Sequence, residues 1–169
     1  MERIWIAGNA GSGKTTLANL ISNKLGIPVY HRDYVTWNDD FTMRSEDEQV
    51  ALTKNITEAN KWIFEGARFT ASRIDGRLER CDTIIHLELN RLLCAYRVFI
   101  RAVRKANRFD LPAVDRQPFS LELLRYVLRD YPMKKKQREV IFNLASDREI
   151  NIIILKNKSD VTSFVSNLK

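Results

Sequence analysis

Eight consecutive residues near the start of the chain have the types and spacing that bind phosphate. Residues 8–15 read GNAGSGKT, which fits the pattern G-x-x-x-x-G-K-[ST], and the short apolar stretch Arg3–Ala7 precedes them. In this pattern backbone amides surround the phosphates, Lys14 reaches the β- and γ-phosphates, and the hydroxyl of Thr15 coordinates Mg²⁺. A helix that begins here adds the positive end of its dipole. The sequence therefore predicts that ATP and Mg²⁺ are bound by Gly8, Asn9, Ala10, Gly11, Ser12, Gly13, Lys14 and Thr15.

Two carboxylates follow predicted strands. Asp33 comes just after the second strand, and Glu65 lies at the end of the third. Ligands of open parallel sheets bind beyond the carboxyl ends of the strands. Asp33 is therefore predicted to orient or deprotonate an acceptor hydroxyl, and Glu65 to hold Mg²⁺ directly or through water. The alternative is that each carboxylate only pairs with a neighbouring arginine, Arg32 or Arg68, or caps a turn.

A predicted helix over residues 91–106 carries a row of basic side chains. They recur at i, i+4, i+7, i+8 and i+11, and like charges at this spacing repel one another unless they meet an anion or water. One interpretation is that they face polyphosphate and neutralise charge during phosphoryl transfer, with Arg97 and Arg101 nearest the reacting groups. The other is a solvated surface helix. The basic positions are Arg97, Arg101, Arg104, Lys105 and Arg108, and the predicted core face is Leu92, Tyr96, Phe99, Ile100 and Val103.

Length and charge favour one domain with a local anion-facing surface. The 169 residues carry a net charge of +7, and residues 91–136 alone hold 12 basic and 4 acidic side chains. The expected unit is therefore a single domain, 1–169, with its positive charge concentrated in one block. No apolar run reaches the ~18–20 residues that span a membrane, which predicts a cytoplasmic protein. Its two cysteines, Cys81 and Cys94, are expected to be free thiols.

Strands alternate with helices along the chain. Strands are predicted at 3–7, 27–31, 62–64, 82–89 and 150–155, and helices lie between them. This alternation indicates a parallel sheet with helices on both faces, an α/β fold. Gly26 is predicted to end the first helix, and Ser45 with Glu48 to form a capping box at the start of the next. Ser159 is predicted to cap the last helix, and residues 107–118 to form a loop.

An aromatic cluster follows the second strand. It could form an acceptor pocket together with Asp33 and Arg68, or it could be a packed loop, and the sequence favours neither. Its members are Tyr30, Tyr34, Trp37 and Phe41.

The order of these motifs resembles a known group of proteins. The phosphate loop is followed by Asp33, by residues 62–68 (WIFEGAR), by residues 82–87 (DTIIHL) and by the arginine-bearing helix. This order resembles the adenylate-kinase-related small kinases, and more closely the bacterial DNA topology modulation proteins. The resemblance covers nearly the whole chain.

The resemblance implies a three-layer P-loop NTPase fold, a five-stranded parallel sheet of order 2-3-1-4-5 and a short lid over residues 104–118. It implies that Thr16 helps to bind phosphate and Mg²⁺, that Arg97 and Arg101 enter the lid, and that Arg68 is an acceptor-side arginine. It also places the loop 156–158 against the adenine.

These observations together predict an ATP-dependent kinase. Lys14, Asp33, Arg97 and Arg101 would act in phosphoryl transfer, and Asp33, Trp37 and Arg68 would contact a small acceptor such as a nucleotide or a hydroxylated metabolite. Thr15 and Glu65 would hold the metal. The alternative is a nucleotide-gated protein that associates with nucleic acid and has no small-molecule acceptor.

Overall fold

The structure is a computed structural model that describes residues 1–40, 42–106 and 120–168. The predicted loop 107–118, most of the predicted lid 104–118 and Phe41 lie outside the described residues. In the part that is described, no helix has the length and apolarity needed to cross a membrane.

A five-stranded parallel sheet forms the centre of the described fold. Its strands stand in the order β2-β3-β1-β4-β5, which confirms the predicted order. Pairing places Ile6 opposite Glu65 and His31 opposite the same residue, so three strands end side by side at one edge. The strands are β1 (Arg3–Gly8), β2 (Val29–His31), β3 (Trp62–Glu65), β4 (Thr83–Leu87) and β5 (Asn151–Leu155).

Helices cover both faces of the sheet. Between α3 and α4 lies a 3₁₀ turn, Thr70–Arg73, and between α6 and α7 lies a π turn, Tyr126–Asp130. The helices are α1 (Lys14–Leu25), α2 (Arg32–Thr36), α3 (Glu46–Glu58), α4 (Arg77–Arg80), α5 (Arg91–Ala106), α6 (Leu121–Arg125), α7 (Tyr131–Met133), α8 (Lys135–Ser146) and α9 (Lys158–Asn167).

The alternating side chains of the strands create two buried layers. On β1, Ile4 and Ile6 face α1 and α9, whereas Trp5 and Ala7 face α4 and α8. All four side chains are fully buried. A sheet with apolar side chains on both faces is stable only when both are covered, so the three-layer architecture follows directly from this pattern.

Local signals at helix ends account for most element boundaries. Gly26 ends α1 in a left-handed conformation, and Ser45 and Glu48 form the predicted capping box at the start of α3. One prediction was wrong. Asn157, and not Ser159, caps α9, because its side chain accepts a hydrogen bond from the backbone amide of Asp160. Residues 32–36, directly after β2, form the short helix α2.

The predicted core face of α5 was also wrong. The buried side of this helix carries Cys94, Ala95 and Val98, all of them small. Two larger apolar side chains point outward: Leu92 is 67% exposed and Tyr96 is 63% exposed. The helix lies so close to the phosphate loop that only small side chains fit between them. Phe99 and Val103, assigned to the same face, are exposed by about half of their surface.

Candidate active site

The phosphate loop lines a cavity of about 470 Å³ at the carboxyl edge of the sheet. Strand β1 ends at Gly8 and α1 begins at Lys14, so the loop spans the gap between strand and helix. Seven of the nine predicted nucleotide-binding residues line this cavity: Gly8, Ala10, Gly11, Gly13, Lys14, Thr15 and Thr16. Asn9 and Ser12, in contrast, have buried side chains.

Gly11 must be glycine for two reasons. Its φ of +77° is rarely adopted by residues with a side chain, and a Cβ atom here would lie 2.3 Å from the backbone oxygen of Cys94. The second reason exists because α5 packs directly against the loop at this point.

Glu65 connects the loop to the neighbouring strands. Its carboxylate lies 3.6 Å from the Lys14 ammonium, accepts a 3.4 Å hydrogen bond from the Thr15 hydroxyl, and is 3.1 Å from Nδ1 of His31. Lys14 also donates to the backbone oxygen of Asn9 at 2.9 Å. Glu65 therefore contacts Lys14 and His31, and not the arginines considered as its partners from sequence.

Burial and neighbouring charges shift the pKa values of this cluster in opposite directions. Burial raises the pKa of the Glu65 carboxyl, but the His31 hydrogen bond and the Lys14 charge outweigh it, and the net pKa is lowered. The hydrogen bond to Glu65 raises the pKa of His31. Burial lowers the pKa of Lys14, with the carboxylates of Glu65 and Asp33 opposing the change. The net shift of the Glu65 pKa thus favours an ionised carboxylate at this position.

Four other predicted residues line the same cavity. Asp33 lies in the first turn of α2, and Trp37 lies at its end. Arg97 and Arg101 reach the cavity from α5, on the opposite side of the loop. An acidic side chain, an aromatic ring and two guanidinium groups therefore surround the space above the phosphate loop.

Arg68 lies in an adjoining cavity of about 180 Å³. It forms an ion pair with Glu46 and donates a 2.9 Å hydrogen bond to the side-chain oxygen of Gln49. The aromatic cluster is divided as well. Tyr30 and Tyr34 line another cavity, of about 580 Å³, whereas Trp37 lines the cavity of the phosphate loop.

A smaller cavity of about 290 Å³ opens on the other side of the phosphate loop. Apolar side chains from β4 and α9, Leu87 and Val161, form part of its wall. Lys158, one of the three residues that the resemblance placed beside adenine, also lines it.

Sequence reasoning missed the buried Arg77, which holds the end of β3. Its guanidinium pairs with Asp75 at 2.6 Å and lies over the rings of Trp5 and Phe64, at 4.9 and 5.0 Å from their centroids. The indole nitrogen of Trp5 donates a 2.7 Å hydrogen bond to the backbone oxygen of Gly66. Arg77 therefore fixes the strand end that presents Glu65. An arginine within a polar stretch carries no sequence signal for such burial.

Asn9 ties the phosphate loop to the π turn. Its side-chain amide donates a 2.9 Å hydrogen bond to the backbone oxygen of Val127. In a helix this oxygen would accept from Tyr131 or from the next residue. The amide of Tyr131 instead bonds to Tyr126, and Pro132 has no N–H. Asn9 therefore supplies the donor that the helix lacks.

The next carbonyl in the same turn is satisfied in a similar way. The oxygen of Leu128 would accept from residue 132 in an α-helix, and Pro132 cannot donate. Arg91, at the start of α5, donates to it at 3.3 Å. Pro132 thus leaves the backbone oxygens of Val127 and Leu128 without a donor from their own helix. Asn9 of the phosphate loop and Arg91 of α5 donate to them instead. The pattern is visible only in three dimensions, because the partners are distant in sequence.

Comparison with known proteins identifies the fold. The shikimate kinase of Acinetobacter baumannii, solved in complex with shikimate, superposes with a TM-score of 0.61 at 15% identity, over 98% of this chain and 89% of that one. The shikimate kinase of Bacteroides thetaiotaomicron gives a TM-score of 0.57 at 17% identity, over 98% and 94% of the two chains. The fold is therefore that of P-loop NTPases, as predicted.

Sequence comparison gives a match to a different kind of protein. The Holliday junction branch migration complex subunit RuvB of Mycoplasmopsis pulmonis (strain UAB CTIP) is 26% identical over 183 positions, covering 99% of this chain and 55% of that protein. The chain thus spans about half the length of this curated relative. No family model matches the chain, so its resemblance to DNA topology modulation proteins stays a prediction.

Proposed function

We propose that this protein is an ATP-dependent kinase that transfers the γ-phosphate of ATP to a small acceptor. The observation that carries the proposal is one cavity shared by the phosphate loop, Asp33, Arg97 and Arg101. Phosphoryl transfer needs these parts: a phosphate cradle, a group that orients the acceptor, and cations that neutralise developing charge. We place the reaction in the cytoplasm, since Cys81 and Cys94 carry free thiols that suit a reducing compartment.

ATP would lie along the loop with its phosphates at the start of α1. Backbone amides and the helix dipole favour negative charge there. Lys14 would leave its present contacts with Asn9 and Glu65 and bind the β- and γ-phosphates. The adenine would enter the cavity lined by Leu87, Val161 and Lys158, whose mixed apolar and basic wall suits an aromatic base.

The residues for a magnesium ion are also present. The Thr15 hydroxyl and the Glu65 carboxylate are neighbouring oxygen donors at the end of the loop, and Mg²⁺ prefers oxygen ligands and keeps several waters. When bound, the ion neutralises charge on the polyphosphate. His31, through its hydrogen bond to Glu65, would keep that carboxylate ionised and in place.

The acceptor would bind on the Asp33 side of the cavity. The Asp33 carboxylate would orient the acceptor hydroxyl and accept its proton, while Arg97 and Arg101 stabilise the transferring phosphoryl group. Trp37 borders this space, and Arg68 would contact the part of the acceptor that extends into the adjoining cavity. Exclusion of water from the cavity would prevent ATP hydrolysis.

The test is ADP formation from ATP and Mg²⁺ with a panel of acceptors. The panel contains nucleoside monophosphates, nucleosides, hydroxy acids including shikimate, and nucleic-acid ends. Lys14→Ala serves as the blank, and Lys54→Ala, an exposed lysine on α3, as the matched control. One acceptor that raises ADP release far above the blank supports the proposal. A flat panel with tight ATP binding contradicts it.

A second candidate function is nucleotide-gated association with nucleic acid. It is favoured by the likeness to a branch migration subunit and by the exposed arginines of α5, of which Arg104 lies beyond the ATP cavity. Binding to several backbone phosphates falls steeply with rising salt. Titration of duplex and junction DNA at two salt concentrations therefore tests it, and absence of binding at low salt eliminates it.

A further inference from the structure

Arg32 lies between the two cavities of the candidate site. It is the first residue of α2, next to Asp33, and its side chain lines both the ATP cavity and the adjoining cavity of about 180 Å³. Gly66 leaves room for this side chain because it has no Cβ atom. A Cβ atom at Gly66 would lie 2.5 Å from Cβ and 3.0 Å from Cδ of Arg32, so the arginine stem occupies the space that any other residue would fill.

Among the residues that the structure describes, Arg32 is the cation of the adjoining cavity that has no ion-pair partner. Arg77 pairs with Asp75, and Arg68 pairs with Glu46. Arg32 is half-buried, and its guanidinium forms neither an ion pair nor a hydrogen bond with any residue that the structure describes. A cation removed from water without a partner is unfavourable, so this position favours an anion from outside the chain.

The electrostatic environment supports the same conclusion. Burial lowers the pKa of Arg32, and the charges of Arg77 and Arg68 lower it further, whereas the Asp33 carboxylate opposes them. An anion placed between these groups would relieve the repulsion among three guanidinium groups. A planar guanidinium also binds carboxylate or phosphate oxygens in pairs, which fixes the orientation of the ligand.

We propose that Arg32 binds an anionic group, a carboxylate or a phosphate, of the phosphoryl acceptor. The proposal rests on the proposed kinase function and narrows its substrate to compact anionic molecules. The rest of the acceptor would fill the adjoining cavity, where Val35 and Phe64 form an apolar wall. Since Arg32 and Asp33 are consecutive, binding of the anion places the acceptor beside the Asp33 carboxylate.

The experiment separates this site from the phosphate loop. The loop is first saturated with a non-hydrolysable ATP analogue and Mg²⁺, and the protein is then titrated with inorganic phosphate or with acetate. Binding is followed through the backbone amide NMR signals of residues 32–35 and 66–68. We expect one of the two anions to shift these signals: phosphate if the acceptor carries a phosphate group, acetate if it carries a carboxylate.

Matched variants assign the effect to Arg32. Arg32→Gln should weaken anion binding about tenfold or more, because it removes a charge-assisted pair of hydrogen bonds. Arg73→Gln makes the same charge change at a nearby exposed position and should bind like the wild type. If Arg32→Gln unfolds, Arg32→Lys keeps the charge without the paired donors and should weaken binding by a smaller factor.

Two results overturn the proposal. One is that neither anion shifts these signals, and the other is that the Arg32 variant binds as tightly as the Arg73 control. Binding of the ATP analogue is measured separately and tests the kinase function. If the ATP analogue does not bind the wild type, the kinase function fails, and the same titration of the nucleotide-free protein still decides whether Arg32 binds an anion.

Discussion

At the scale of single residues, Glu65 connects three other side chains of the site. It is at once the counter-ion of Lys14, the acceptor for Thr15 and the partner of His31. In the nucleotide-free protein the Lys14 charge is thus already balanced. ATP must therefore compete with Glu65 for Lys14, and a cation beside Glu65 would ease that competition.

Asp33→Asn should separate ATP binding from turnover. The amide keeps the shape of the side chain but cannot accept a proton, so turnover with the identified acceptor should fall by about a hundredfold or more. The affinity for ATP should stay within about twofold, because Asp33 does not belong to the phosphate loop. Steady-state kinetics and equilibrium nucleotide binding measure the two quantities. Asp39→Asn, an exposed change in the same segment, is the control; wild-type turnover in Asp33→Asn would remove Asp33 from the mechanism.

Sequence reasoning could bring together those candidate residues that belong to local patterns, and the structure places them around one cavity. The phosphate loop is a contiguous motif, and Asp33 and Glu65 follow strands, so the edge they share could be deduced. The sequence did not reveal the surroundings of Arg32 and Asn9. The position of the Arg32 side chain requires a glycine at residue 66, and the hydrogen bond of Asn9 requires a carbonyl group that is distant in the chain. Such signals appear only after folding.

At the scale of elements, the contact of α5 with the phosphate loop can be tested with two glycines. Gly11 and Gly26 both have positive φ values, +77° and +67°. A Cβ atom at Gly26 would meet nothing within 4 Å, whereas one at Gly11 would meet the Cys94 backbone. Gly26→Ala should cost about 1 kcal/mol of unfolding free energy, the cost of the backbone conformation alone. Gly11→Ala should cost several times more and also weaken nucleotide binding.

Chemical denaturation of both variants, combined with nucleotide titration, measures these effects. Equal losses of stability in the two variants would mean that α5 can move away from the loop without cost. The packing described here would then not restrain the loop.

The tether between the phosphate loop and the π turn predicts a coupled pair of mutations. Asn9→Ala leaves the Val127 oxygen without its donor and should cost about 1–3 kcal/mol. Pro132→Ala restores an N–H in the turn that can reach this oxygen. The cost of Asn9→Ala should therefore be smaller in the Pro132→Ala background. Thermal or chemical unfolding of both single variants and the double variant gives the coupling free energy.

Asn23→Ala, an exposed change on α1, serves as the control for that cycle. It should have nearly the same small effect in both backgrounds. Strictly additive effects of Asn9→Ala and Pro132→Ala would show that Pro132 is not the reason that Val127 needs Asn9.

Element type was easier to predict from the sequence than element orientation. The strands were recognised because buried parallel strands are apolar runs, and α3 because its capping box is local. The helical period of α5 was recognised, but its buried side was assigned wrongly. Periodicity locates an apolar stripe on a helix. It does not show whether a closely packed neighbour, here the phosphate loop, leaves space for the large side chains of that stripe. Tyr96 lies outside for this reason, and the small Cys94 lies inside.

At the scale of the whole molecule, a buried histidine makes the fold sensitive to acid. His86 lies on β4 against Phe69 and Phe142, and its Nδ1 has no hydrogen-bond partner among the described residues. Burial and the charges of Arg138 and Lys14 lower its pKa from 6.5 to about 4. Between these values the unfolded chain binds a proton that the folded protein does not. The free energy of unfolding should therefore decrease as the pH is lowered from 6.5 to 4, by about 3 kcal/mol in total.

This prediction is checked by denaturation between pH 7 and pH 4 for the wild type and for His86→Gln. The variant carries a constant cost from repacking, but its stability should decline less steeply as the pH falls. His31 contributes in the opposite sense, because its raised pKa favours the folded state below about pH 6.5. The chain has two histidines, so NMR can titrate each separately. An ordinary pKa for His86 in the folded protein would contradict the prediction.

The hydrogen bond from Asn9 to Val127 also bears on the order in which the site is completed during translation. The two residues are 118 positions apart. A ribosome makes the phosphate-binding motif first, and the carbonyl that secures it follows 118 residues later. Until Val127 and Leu128 have left the exit tunnel, the loop lacks its anchor, and Arg91 lacks the Leu128 oxygen. The nascent polypeptide should therefore acquire its full affinity for nucleotide only after these two residues have emerged.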